Sequence, residues 1–217
     1  MDTSDVIARL RSLGSRRDVA GQRRFGITPR SVHFGVPVPR LRRIARDHRR
    51  DHPLALALWS TGIHEARILA AYADDPARIT RRQMDAWACG FDSWDVCDQV
   101  CSNLFDRTPH AVAKAAAWSA RRAPFVKRAG LATMACLAAH RRDLPERVLL
   151  GFLPAVHREA RDGLNFVMKA ASWALCQIGE RSPPLRRSAM AEARRIARLG
   201  APSARWIASD ALKELGK

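Results

Sequence analysis

The sequence predicts an all-α fold, and three observations carry that reading. Period-2 alternation of apolar residues is scarce along the 217 residues. Prolines and glycines stand between segments of 3.6-residue apolar period rather than inside them. Small-residue stretches with a basic or polar head recur: EARILAAYA from Glu65, VKRAGLATMA from Val126, FVMKAASWAL from Phe166 and ARWIASDAL from Ala204. Lys169 lies 41 residues after Arg128 and Asp210 lies 41 after Lys169, whereas Arg67 precedes Arg128 by 61. A period of about 40 with two helices per unit is the pattern of HEAT-type repeats, which bury a continuous core and present one concave face. An irregular helical bundle is the plainer alternative.

Taken in order, helices are expected over 4–13, 18–26, 38–49, 53–59, 63–73, 80–89, 93–106, 109–120, 124–140, 144–157, 164–179, 184–199 and 202–215. The first is expected to be capped by Ser4 or Asp5. GVPVP (35–39) reads as an extended elbow ahead of the third. Pro109, Pro124, Pro145, Pro184 and Pro202 each stand where a first helical turn begins, the place that tolerates proline. Small residues over 65–73, 126–135 and 166–175 let neighbouring helices approach closely. No low-complexity linker interrupts the chain, so residues 1–217 read as one domain.

The bulk numbers restrict the partners. The chain is 47% hydrophobic, enough for a sizeable core. Its formal net charge is +17, and only five of 38 basic residues are lysine. Arginine suits bidentate phosphate contacts, and a surplus of this size points first to nucleic acid. An arginine-rich codon bias explains Arg over Lys but not the surplus itself. No apolar run is long enough for a membrane span, and MDTSDVIARLRSLG has no leader-like apolar stretch. Five cysteines at 89, 97, 101, 136 and 176, all in apolar helical contexts, suggest reduced thiols and a cytoplasmic protein. Cys97 and Cys101 have no second pair or histidine at ligand spacing, so no metal is expected.

FDSWDVCDQVCSNLF (91–105) places a carboxylate beside an indole. At about 100° per residue, Trp94, Asp98, Cys101 and Phe105 fall within roughly 60° of each other. Val96, Cys97, Val100 and Leu104 extend the apolar arc. Asp95, Gln99, Ser102, Asn103 and Asp106 form the wet side, so Asp98 lies at the seam. Arg128 lies over Leu131, Ala132 and Ala135. Trp173 sits among Phe166, Lys169, Cys176 and Gln177, away from the arc of Ala170, Ala171, Ala174, Leu175 and Ile178. Each alone reads as an ordinary core or surface residue, but all three fall on successive helical units.

At these segments the sequence resembles the AlkD-like DNA alkylation-repair glycosylases. FDSWDVCDQVCSNLF, FVKRAGLATMA and NFVMKAASWALCQIGE look like three family segments, and FGVPVPRLRRIAR (34–46) and HEARILAAYA (64–73) fit as well. The resemblance runs from about residue 20 to the C-terminus, in matching order and spacing. It implies a right-handed superhelix of HEAT-like repeats with a basic concave face. It also implies hydrolysis of the N-glycosidic bond of cationic alkylpurines such as 3-methyladenine and 7-methylguanine, as the first step of base excision repair, without base flipping. Trp94, Asp98 and Trp173 match the catalytic aromatic–carboxylate–aromatic set, and Arg128 matches a phosphate-contacting arginine. Lys169 and Arg67, which head equivalent helices, are expected on the same DNA-binding face. Where some relatives place a tyrosine against DNA, this chain has Phe25 and Gly26, so that contact passes to Phe25 without a hydroxyl. The expected partner is alkylated double-stranded DNA, bound by a monomer that uses no cofactor.

Two other readings compete: a non-catalytic HEAT-like nucleic-acid-binding module, and a protein-scaffold array. The charge fits the scaffold poorly. A phosphate-binding groove gains nothing from a carboxylate, so Asp98 favours the enzyme. A lyase step is disfavoured, because Lys169 is the sole lysine near the set and its sequence neighbours offer nothing that activates it.

Overall fold

The computed structural model describes residues 2–217, and every element among them is helical. They divide into two compact units, one ending at Thr108 and the other running from Pro109 to Lys217. The first holds α1 (Thr3–Ser12), α2 (Arg16–Arg23), α3 (Val38–Ala45), α4 (His52–Ser60), α5 (His64–Ala73), α6 (Arg81–Cys89) and α7 (Trp94–Asn103). Short 3-10 turns at Arg46–His48 and Phe105–Arg107 follow α3 and α7. The second holds α8 (Ala111–Ser119), α9 (Pro124–His140), α10 (Glu146–Leu150), α11 (Leu153–Glu159), α12 (Asn165–Glu180), α13 (Pro183–Ala197) and α14 (Pro202–Leu215). No helix among the described residues is long and apolar enough to cross a membrane.

The expected helices are present, with local corrections. Asp2, not Ser4 or Asp5, caps α1, in a reciprocal capping box with Asp5. The segment 144–157 is two helices, α10 and α11, broken at Gly151–Phe152. Pro145 is the residue before α10, and Pro109 stands two residues ahead of α8. Pro124 and Pro202 open their helices, as expected for a residue with no N–H to donate. Asp95 and Asp106, expected on the wet side of α7, are both buried. Cys89 is exposed, while Cys97, Cys101, Cys136 and Cys176 are buried.

In the first unit, α5 is the central helix and packs against α3, α4 and α7. Ile68 and Leu69 of α5 lie in a core with Leu41, Leu58, Val96 and Phe105. In the second unit α9 packs on α8 and α12, and α12 also packs on α13 and α14. Helices α9, α12 and α14 are the ones that carry Arg128, Lys169 and Asp210 at the 41-residue spacing. Leu131, Met134, Leu137, Leu175, Ile178 and Ile207 are among the fully buried residues there.

The small residues act as the pattern requires. A Cβ on Gly130 would lie 2.3 Å from the Ser119 backbone nitrogen and 2.9 Å from the Ala115 carbonyl oxygen. Backbone atoms cannot swing aside as a side chain does, so α8 and α9 approach at a distance only glycine permits. Gly130→Ala should therefore push the two helices apart and cost about 1–3 kcal/mol. Urea denaturation measures this, and an unshifted midpoint at unchanged slope would show that the pair yields without cost.

Candidate functional site

In the first unit, the segment between α2 and α3 has no helix, so its amides need partners elsewhere. Carboxylates supply them. Glu65, at 1% exposure, accepts from the N–H groups of Phe34 (3.0 Å), Gly35 (2.6 Å) and Val36 (3.1 Å). Asp92 accepts from the N–H groups of Arg30 (3.0 Å) and Ser31 (3.1 Å). The His64 N–H donates to the Val32 carbonyl at 2.9 Å. Gly35 has φ +82, and a Cβ there would lie 2.5 Å from the Ser15 carbonyl oxygen, so the elbow requires glycine twice over.

This stitched segment reaches Trp94. The indole Nε1–H donates to the Phe25 carbonyl at 3.1 Å, fixing the ring edge at the start of α7. Phe25 is itself 77% exposed, in a turn closed by Gly26 at φ +75 and preceded by exposed Arg23 and Arg24. Asp98 lies one turn beyond Trp94 and is half-buried, the seam position expected of it. Arg67 is held within the unit. Its guanidinium donates to the Gly90 carbonyl (3.1 Å), pairs with Asp92 (3.4 Å) and lies 5.2 Å from the Trp59 ring centre. It thus clamps the connection that leads into α7.

A buried polar cluster, unread in the sequence, fixes the first turn of α7. Asp95 accepts from His64 Nε2 at 2.9 Å and from the Ser93 hydroxyl. Burial works to raise the Asp95 pKa, but the His64 hydrogen bond and charge and the Ser93 hydroxyl outweigh it, and the carboxyl is held below its ordinary range. A carboxylate in a first turn is also favoured by the helix dipole. The His33 ring lies 4.5 Å from the His64 ring, and its Nε2 is 3.6 Å from Glu65. One signal was available: the His64–Glu65 pair opens a helix next to an elbow full of unpaired amides.

In the second unit, the first turns of α9 grip the approach to α12. Lys127 bridges Glu159 (2.8 Å) and Asp162 (2.7 Å), and Asp162 accepts from the Leu164 N–H at 2.9 Å. Burial lowers the Lys127 pKa, but the two carboxylates prevail and raise it. Arg128 lies deeper than its wheel position suggests, at 5% exposure, and donates to the Phe166 carbonyl. Phe125 and Phe166 stack at 4.8 Å. Further along α12, Lys169 is exposed, and Trp173 is half-buried at the edge of the core.

The model of the DNA alkylation repair enzyme family matches residues 6–215. The chain is similar in structure to a member of "a new family of proteins related to the HEAT-like repeat DNA glycosylases with affinity for branched DNA structures". That likeness has a TM-score of 0.80 at 22% identity and covers 89% of this chain and 83% of the other. It shows a HEAT-like repeat fold. No curated protein matches the sequence.

The cluster at the elbow makes a pH prediction. Burial, and secondarily the charge of His64, lower the His33 pKa below 6.5, against the opposing pull of Glu65 and Asp95 and with Arg23 adding to the fall. A histidine whose folded pKa is depressed is protonated first in the unfolded chain, so stability is lost as pH drops below its ordinary value. Asp95 adds a loss in the same direction below about pH 4. His33→Gln should flatten the fall in stability between about pH 7 and pH 5. Denaturation of the two proteins across that range checks it, and parallel curves would remove His33 from the account.

Proposed function

The chain belongs to the DNA alkylation repair enzyme family, and on that premise we propose that it is a monofunctional DNA glycosylase acting on cationic alkylated purines in duplex DNA. Catalysis is assigned to Trp94 and Asp98 in the first unit and to Trp173 in the second. Phosphate and strand contacts are assigned to Arg128, Lys169, Arg67 and Phe25. For Arg67 and Arg128, whose guanidinium groups already have protein partners, the role includes holding α7 and α12 in place. The observation that carries the reading is the Trp94–Asp98 pair: an indole pinned at its edge, followed one turn later by a half-buried carboxylate.

The chemistry suits those groups. A purine alkylated at N3 or N7 already carries positive charge and leaves as a neutral base, so no strong acid is needed. As the C1′–N bond breaks with both electrons going to the base, the deoxyribose gains oxocarbenium character. A fixed carboxylate stabilises that charge and orients the water whose oxygen bonds to C1′ as its proton departs. Indole faces attract the cationic sugar and base through the ring quadrupole. Because the substrate brings its own cation, the base need not be turned out into a pocket. The two units act as one functional domain, and the protein works as a monomer on the DNA of the cytoplasm in the first step of base excision repair.

The affinity for branched DNA described for the similar structure favours a second reading, a DNA-structure binder without chemistry. Asp98 separates the two. Under the enzyme reading, Asp98→Asn should lower the release of free 7-methylguanine from duplex DNA by at least ~10²-fold while DNA affinity holds or rises. Full release by the variant excludes the mechanism, and no release by the wild type favours the binder.

Both readings share a salt dependence. With six to ten phosphates neutralised, affinity should fall about 10³–10⁵-fold between 50 and 200 mM salt. A flat response in fluorescence anisotropy would mean that the arginine surplus does not meet DNA.

A further inference from the structure

The last helix repeats the feature that singles out α7. Trp94 and Asp98 are four residues apart, and so are Trp206 and Asp210. Both pairs therefore place a carboxylate one turn beyond an indole, on one face of a helix. Trp206 is 40% exposed, far more than a core tryptophan. The buried face of α14 includes Ala204, Ile207, Ala208, Ala211 and Leu215, and Trp206 lies off that face.

Asp210 is tied to α12. The hydroxyl of Ser172, itself 1% exposed, donates to Asp210 Oδ2 at 2.6 Å. That bond anchors one carboxylate oxygen, while the residue as a whole remains exposed. Ser172 immediately precedes Trp173. The neighbouring Cys176 thiol is pushed up to about 11 by burial first and by the charge of Asp210 second, with Glu180 and Glu214 adding to it. Carboxylates and basic groups alternate along this rim: Glu214 pairs with Lys217 at 2.6 Å, and Arg205 and Lys169 are exposed near Asp210 in sequence or on the facing helix. Among the described residues, neither Trp173 nor Trp206 makes a hydrogen bond or ring contact.

We propose that Trp206 and Asp210, together with Trp173, form a cation-recognition subsite on the α12–α14 face, and that its ligand is the positively charged alkylated purine. The choice of ligand rests on the glycosylase reading. The exposed indole of Trp206, the half-buried indole of Trp173 and a hydroxyl-anchored carboxylate suit a flat aromatic cation, because ring stacking, cation–π attraction and ion pairing act on it together. Phosphate is the wrong occupant, since the carboxylate repels it. Exposed Lys169 on α12 supplies a phosphate contact beside the subsite.

The probe is 7-methylguanosine, with neutral guanosine as the control, titrated by calorimetry. To silence the pair on α7, the titration uses the Trp94→Ala/Asp98→Asn double variant. Binding of 7-methylguanosine in preference to guanosine should persist there. Adding Trp206→Ala or Asp210→Asn should weaken it roughly 3–30-fold each, and Trp206→Phe, which keeps a ring, should weaken it less. Asparagine keeps an oxygen for Ser172, so melting curves of these variants should match the parent and separate lost binding from lost folding. Equal binding of the two nucleosides, or unchanged affinity in the Trp206 and Asp210 variants, overturns the proposal. If wild-type protein releases no base from duplex DNA yet this titration behaves as described, the subsite stands and the glycosylase reading alone fails.

Discussion

The first unit depends on a carboxylate without a cation. Glu65 is almost wholly buried, and its main partners are the backbone amides of Phe34, Gly35 and Val36. A segment that forms neither helix nor strand leaves its amides open, and each unpaired buried donor costs about 1–3 kcal/mol. An ionised acceptor with two oxygens satisfies several at once, with charge-assisted strength. Asp92 does the same for Arg30 and Ser31, and Arg67 then holds Asp92 in place. With the segment laid down, the Phe25 carbonyl stands where the Trp94 indole reaches it. The orientation of the proposed reactive pair thus descends from a hydrogen-bonding requirement some 60 residues away in the chain.

The second unit solves a related problem with opposite charges. Glu159 ends α11 and Asp162 lies in the turn before α12; Lys127 at the start of α9 grips both, and the neighbouring Arg128 grips the Phe166 carbonyl at the start of α12. Close helix approach makes the grip possible. Gly130 lets α9 lie against α8 at backbone contact, and Gly179 leaves room for Leu215 where α12 meets α14. Small residues at these crossings exchange side-chain burial for proximity, which keeps exposed and half-buried groups such as Lys169 and Trp173 on the remaining face. A rigid helix start is what a positioned indole requires, because small displacements cost heavily in oriented chemistry.

Most of the helices are legible in the sequence because prolines and glycines fall between them, and because α12 and α14 keep a clear apolar period. What escaped was what depends on partners distant in sequence. A helical wheel assigns Asp95 to water, since neither His64 nor the burial of its side chain is visible in the local pattern. The same holds for Asp106 and for Glu65, whose local pattern shows only the head of a small-residue stretch. The 144–157 segment breaks into α10 and α11 at Gly151–Phe152. Of the candidate site, the seam position of Asp98 and the edge position of Trp173 were legible. The prior engagement of Arg67 and Arg128 was not, since an arginine's partners cannot be read from its neighbours in the chain.

The charge distribution is compatible with the proposed recognition of a cation by so basic a protein. Of its 21 acidic residues, Glu65, Asp74, Asp92, Asp95, Glu159, Asp162 and Glu192 are engaged with backbone amides, histidines or basic side chains. Arginines such as Arg23, Arg24, Arg121, Arg122, Arg186, Arg187 and Arg194 are exposed. At distances near the Debye length of about 8–10 Å the surplus is what a polyanion meets, and it draws in DNA of any sequence. Cation–π and carboxylate contacts act within about 6 Å, where a single positively charged base differs from its neutral neighbours. The two ranges do not compete. In the proposed function, arginine in excess brings the strand to the surface without selecting a base, and selection falls to groups too short-ranged to resist that approach. An indole–carboxylate pair is such a group, and in a chain of net charge +17 its carboxylate opposes DNA binding unless it is offset by what it does at contact.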